Sequence, residues 1–318
     1  MESGMRVGRR LVIMAPVIAG VVALTESPAL AAYYNTYSDI ADIPDTDGCT
    51  SAQGFAAGTT YLYSIKKNKT DDLSVIYRVN KTTGDRVLMT NGTTGGVTNP
   101  WLGHGNDMAS ADIDGVHHLF VVTMKDNSAQ LVKLSYDGST YYFAGSYTIL
   151  HNGDTLAPSG ISKVSTSSTT LTFMFKSGST VYNGTLPLRA NSGTIDLTKA
   201  FELQVDGAKV DGATVPDIGS FLNQGFHYDP ANHVLYNPLT KDNRSIVLVY
   251  RNVSPATTGT APAAGDLSFR ITSSMYKFFE IEGVGISDGT LYFNTNRTYE
   301  SNGDANDGVH AFKDYVAA

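Results

Sequence analysis

The chain has one cysteine, Cys49, among 318 residues, so no intramolecular disulfide can hold it together. Basic residues are scarce: 23 Lys and Arg stand against 30 Asp and Glu, a net charge of −7. That balance excludes generic attraction to nucleic acid or to an anionic membrane surface, because there is no positive footprint to release counterions. The only sustained apolar run, "LVIMAPVIAGVVAL" near the N-terminus, is shorter than the roughly 20 apolar residues of a bilayer-spanning helix. Also missing are a Gly-rich phosphate loop, a Cys/His zinc spacing, a G-x-S-x-G nucleophile elbow and any extended helical periodicity.

The N-terminal run has the layout of an export signal. Arg6, Arg9 and Arg10 precede it, and "SPALA" follows with a small-residue cleavage pattern at Ala29-Leu30-Ala31. Residues 1–31 are therefore read as a secretory signal peptide and residues 32–318 as one domain, secreted and extracellular. Without the leader the chain keeps 20 basic and 28 acidic residues, a charge of −8. With no disulfide available it must rely on a large buried core, which its length permits.

What the sequence does contain is short runs rich in Tyr, Val, Phe, Leu and Thr, such as "TYLYSIK", "SVIYRVN", "HHLFVVTM", "TLTFMFK" and "SIVLVYR", separated by Gly, Asn, Asp and Ser. These are strands with turn punctuation, and they imply an all-β protein. One element recurs: a polar residue, usually a Gly, an apolar residue, and then a second strand-like run. Its copies start at Gln53, Asn106, Ser159, Gln224 and Glu282. Each interval holds three or four strand-like runs, the content of one propeller blade. The expected fold is a β-propeller of five blades with four antiparallel strands each. The last copy leaves too little chain for a full blade, so an N-terminal strand is expected to close the ring and remove the open sheet edges.

In a propeller the first strand of each blade faces the central axis. The polar column Gln53, Asn106, Ser159, Gln224 and Glu282 should therefore converge. Beside it runs Gly54, Asp107, Gly160, Gly225 and Gly283, tight except for Asp107, and then the apolar column Phe55, Met108, Ile161, Phe226 and Val284. Strand alternation puts His104 with Asn106 and Glu280 with Glu282 on shared faces. An imidazole and several carboxylates at one channel mouth could bind ligand hydroxyls, hold an ion or move protons. The candidate ligand-binding residues are thus Gln53, His104, Asn106, Asp107, Gln224, Glu280 and Glu282. Equally, polar groups near such an axis can serve only to satisfy buried backbone.

Other motifs carry less. "DTDG" at 45–48 and "DANDG" at 304–308 are fragments of calcium loops without the spaced ligands of an EF-hand, and turn formation explains both. No cofactor is expected, although the two fragments leave a structural calcium ion open. His117 and His118 point to opposite faces of a strand. Trp101 reads as a core anchor, with a sugar-stacking platform as the alternative.

The stretches "QGFAAGTTYLYSIK", "VIYRVNKTTGDRVLMTNG", "LGHGNDM" and "EIEGVGISDGTLYFNTNR" resemble the helveticin J family of large, heat-labile bacteriocins, from about Gln53 to Arg297. Gly105 stands where an Ala is expected. The resemblance implies an exported antibacterial protein acting on related Gram-positive bacteria; it brings no catalytic residues. The leading expectation is a monomeric, non-enzymatic protein that binds a cell-envelope component through one propeller face. The alternative is a carbohydrate-active enzyme or glycan-binding module using the mouth carboxylates on a surface glycan.

Overall fold

The computed structural model describes residues 36–313, apart from 211 and 273; the expected leader, residues 1–31, lies outside the described residues. The chain is all-β and forms a propeller. Five sheets of four or more strands follow one another along the sequence, each packing its axial strand on those of its two neighbours. The first runs Ser51–Ala57, Tyr61–Lys67, Ser74–Asn80 and Arg86–Leu88. The second starts with Asp107–Ile113 and the third with Gly160–Thr166. The fourth is built around Val234–Lys241 and Arg244–Tyr250, and the last around Tyr276–Ser287 and Thr290–Tyr299.

The inner strands are buried at successive residues, not at alternate ones, because both faces of each sheet are covered. Five apolar wedges fill the gaps between adjacent sheets. The apolar column is divided among them: Phe55, Met108, Ile161, Phe226 and Val284 each enter a different wedge. Fully burying such a side chain stabilises the fold by about 1.5–3 kcal/mol. Cys49 is buried in the wedge of the first sheet, its thiol aimed at the Leu73 carbonyl.

The N-terminal strand closes the ring. Tyr37–Asp42 pairs antiparallel with Gly308–Phe312, the outermost pairing of the last sheet. Asp39 accepts hydrogen bonds from the buried Arg297 guanidinium at 3.0 Å and pairs with the His310 ring at 2.7 Å. The His310 contact, with Arg297, holds the Asp39 carboxyl down at about 2. Lys66 of the first sheet bridges to Asp307 at 2.9 Å and Asp45 at 2.5 Å, locking the seam between last and first sheets. Both fragments resembling calcium loops thus contribute carboxylates to this seam, and among the described residues no three metal-ligating side chains gather.

The expectation of five equal blades of four antiparallel strands is corrected in two ways. Regular blades number four, not five: in the sheet over 222–272 the axial strand is split into Leu222–Asn223 and His227–Asp229, because the backbone between them bonds to neighbouring sheets. The rim is also partly parallel. Thr140–His151 takes Ser192–Asp196 and Thr90–Asn91 as parallel partners, and Thr198–Leu203 takes Gly259–Ala261. These pairings stitch segments of neighbouring sheets together.

The tight column is explained by approach distances. A Cβ on Gly54 would lie 2.5 Å from the Gly105 carbonyl oxygen, and one on Gly283 would lie 2.8 Å from the Phe55 Cβ. Gly54→Ala is expected to lower the unfolding free energy by about 1–3 kcal/mol, measured by urea denaturation. Gly96→Ala, where nothing lies within 4 Å of the added carbon, should change it by less than about 0.5 kcal/mol.

Candidate functional site

The polar column lies where each axial strand leaves its own ladder. In the first sheet the register shifts between Ala52 and Phe55, and in the last between Ile281 and Gly283, so Gln53 and Glu282 occupy bulges. Bulges re-aim side chains, and here they turn polar groups onto the axis. The freed backbone groups bond across to neighbours: Gly54 N–H donates to Gly105 O at 2.8 Å, and Gly225 N–H to Glu282 O at 2.9 Å.

Four of the candidate residues come together at the axial mouth. Gln53 Nε2 donates to Glu282 Oε1 at 3.1 Å, across 229 residues of sequence, and Gln224 Nε2 donates to Glu280 Oε1. Glu280 and Glu282 stand two residues apart on the last axial strand, close enough for each to shift the other's ionisation. All four are buried, yet Gln53 Oε1 has no partner among the described residues. Asn106 belongs to the same ring but is spent on the scaffold, donating to Ser159 O at 2.6 Å.

His104 does not share a strand face with Asn106. Gly103 and Gly105 adopt φ of 60° and 61°, left-handed values that keep the segment out of the strand, which starts at Asp107. The His104 ring instead meets Asp71 at 3.0 Å, and Asp71 pairs with Lys67 at 2.5 Å. This triad forms the rim. Burial pushes Asp71 upward, but hydrogen bonds from Lys67 and His104 outweigh it and hold the carboxyl below its ordinary value.

Asp107 lies deeper. One oxygen accepts the backbone N–H groups of Ile161 and Phe226, each at 3.0 Å, and the other takes that of Met108 at 3.0 Å. The nearby Lys176 ammonium is fully buried and donates to Gln224 O and Asn237 Oδ1, both at 2.6 Å. Burial pushes Asp107 up to about 8 and Lys176 down to about 7. Sequence reasoning missed Lys67, Asp71 and Lys176. The signal for Lys176 was present in "TFMFKS", a lysine at a register position otherwise buried and apolar.

His117 is half-exposed and paired with Asp112, while the His118 ring turns to Val116 O, so the two rings do diverge. Trp101 is half-buried, packed against the wedge between the first and second sheets with its ring 5.0 Å from that of Phe143.

Burial raises Glu280, and it raises Glu282 further because the Glu280 charge adds to it. The pair therefore holds at least one proton above the pH at which free carboxyls ionise.

No family model and no curated protein matches the chain. Solved structures do. A beta-xylosidase superposes with a TM-score of 0.50 at 9% identity, covering 87% of this chain and 94% of that one. A family 117 glycoside hydrolase of the marine bacterium Zobellia galactanivorans gives 0.45 at 8% identity, over 87% and 88%. A luciferin-regenerating enzyme gives 0.42 at 8% identity, over 85% and 93%. At such identities the likeness is one of fold.

A group whose native pKa is raised binds more protons folded than unfolded, so its contribution to stability is lost as pH rises through the native value. Stability should therefore fall as pH rises above the ordinary carboxyl range and the Glu280–Glu282 pair is forced to ionise. Glu282→Gln should flatten that slope in urea melts across the range; equal slopes would show that the pair does not titrate there.

Proposed function

We propose that the axial mouth binds carbohydrate without cleaving it. The observation that carries this is the pair of amide–carboxyl hydrogen bonds at the mouth, Gln53 Nε2 to Glu282 Oε1 at 3.1 Å and Gln224 Nε2 to Glu280 Oε1. Glycoside hydrolysis needs two carboxyl groups about 5–5.5 Å apart for retention or about 6.5–9.5 Å apart for inversion, one on each side of the scissile bond. Glu280 and Glu282 instead stand two residues apart on one strand, each already held by an amide.

The other axial carboxylate, Asp107, is committed to three backbone N–H groups, and Asp307 to Lys66 and two more. A sugar hydroxyl both donates and accepts, which suits a mouth offering carboxyl oxygens, amide groups and the unpartnered Gln53 Oε1. The fold shared with a beta-xylosidase favours carbohydrate as the ligand class. The resemblance to helveticin J-type bacteriocins favours envelope glycans of Gram-positive bacteria as its source, with the protein acting outside the cell.

The test is calorimetric titration of the purified protein with Gram-positive envelope polysaccharides and with xylan, alongside an assay for new reducing ends and growth of a Gram-positive panel. A polysaccharide should bind, with affinity about tenfold weaker in Glu280→Ala and no reducing ends released. Failure to bind any of them removes the reading; release of reducing ends that Glu282→Gln abolishes would replace it with hydrolysis.

A further inference from the structure

The strand that closes the ring, Tyr37–Asp42, has no fully buried residue. It pairs on one side only, with Gly308–Phe312, and its side-chain hold on the last sheet is concentrated in one carboxylate. Asp39 Oδ1 takes both the Arg297 guanidinium, at 3.0 Å, and the His310 ring nitrogen Nδ1, at 2.7 Å. Arg297 adds a longer contact to the Tyr37 hydroxyl at 3.5 Å, and Asp42 stands 3.9 Å from its other terminal nitrogen. A segment with so few buried contacts opens at lower cost than the body of a fold.

The groups that receive this strand are, by contrast, fully buried. His310 Nε2 pairs with Thr295 Oγ1 at 2.7 Å, and the Phe293 and Tyr37 rings lie 4.7 Å and 5.1 Å from the imidazole. The Arg297 guanidinium sits over Tyr276, with Nε donating to Asn306 O and its backbone N–H to Asp307. A Cβ on Gly308 would meet His310 Cε1 at 2.8 Å and an Arg297 terminal nitrogen at 3.1 Å, so imidazole and guanidinium flank the same small gap. The titratable or charged groups facing the imidazole are therefore Asp39 and Tyr37 of the closing strand and Arg297 of the last sheet, with Asp42 and Asp307 placed against Arg297.

An ionised Asp39 can only accept, so Nδ1 of the neutral imidazole carries the hydrogen and Nε2 accepts from the Thr295 hydroxyl. One carboxylate then balances one guanidinium. Adding a proton to Nε2 keeps the hydrogen bonds, because the hydroxyl turns and accepts. It also sets two buried cations on one carboxylate oxygen, and letting the strand go relieves this by bringing water to the imidazole. We propose that His310 makes ring closure acid-sensitive: when its imidazole takes a second proton, Tyr37–Asp42 detaches from Gly308–Phe312 while the rest of the propeller stays folded.

Burial first, and the Arg297 charge in addition, hold His310 down at about 4 in the closed ring. Between an ordinary imidazole's 6.5 and about 4 the closed form thus binds fewer protons than the open one. Closure is at full strength above that window and weakens as pH falls through it. Asp39, held down at about 2, stays ionised throughout. The Glu280–Glu282 pair, with raised values, favours the folded state in acid, so the loosening is confined to the seam.

The reporter is already in the chain. Cys49 is fully buried in a wedge that Ile40 and Ala41 of the closing strand help to cover. The experiment follows its labelling by dithiodipyridine, a thiol reagent that works in acid, on the full chain, normalised to the denatured chain at each pH, with far-UV circular dichroism alongside. Labelling should accelerate at least about tenfold from about pH 7 to about pH 4.5 with the dichroism unchanged. His310→Gln keeps a donor and an acceptor but gains no proton, and should stay slow at both. Asp39→Asn, at a position whose side chain is mostly exposed, should label about tenfold faster than the parent at neutral pH. The proposal is overturned if Cys49 labels no faster in acid, if His310→Gln accelerates like the parent, or if secondary structure is lost together with the acceleration. Should His310→Gln not fold, parent-like labelling of Asp39→Asn at neutral pH overturns it alone.

Discussion

A single carboxylate on the axis organises the ring. Asp107 collects backbone N–H groups from its own sheet and from the third and fourth sheets, with the Lys176 ammonium of the third sheet nearby. Each of those amides, buried and unpaired, would cost about 1–3 kcal/mol. They cannot be satisfied within their own ladders, because at the axis the strands turn out of register to approach each other. Asp107 can occupy the centre because Gly225 faces it: a Cβ there would stand 2.7 Å from the Asp107 carboxyl carbon. The other glycines of the column let neighbouring sheets close in, Gly54 on the Gly105–Asp107 backbone, Gly160 on Phe226 and Gly283 on Phe55.

The mouth uses the same geometry for a different end. Bulges at Gln53 and Glu282, and the broken strand at Gln224–Phe226, rotate polar side chains inward. Two of them, Glu280 and Glu282, are carboxyls buried beside each other on one strand. Burial and mutual repulsion then favour sharing a proton over full ionisation. The cluster is thus polar and carries less charge than two ionised carboxylates would, a character suited to recognising hydroxyl groups. Around it, the Lys67–Asp71–His104 triad keeps the formal charges at the rim.

Much of the fold was legible in the chain. The repeated order of polar, tight and apolar residues appears in "QGF", "NDM", "SGI", "QGF" and "EGV", and each apolar member enters its own wedge. The shortfall of residues after Glu282 pointed to the N-terminal strand that closes the ring. The uneven blades were not legible. Parallel rim pairings depend on which edges meet in space, and the split strand at 222–229 reflects bonds to other sheets rather than its own propensity. His104 was misplaced because alternation was carried through Gly103 and Gly105, whose left-handed φ values end the strand geometry before it begins.

Local pattern alone decided the element types, the repeat and the identity of the axial residues, because side-chain size and polarity at each step are written directly in the chain. Which of those residues touch was decided only by closure of the ring. Gln53 meets Glu282 and Asp107 meets Phe226 across separations that no local periodicity encodes. Contact between residues far apart in sequence follows from packing angles and backbone approach, and these are properties of the assembled sheets.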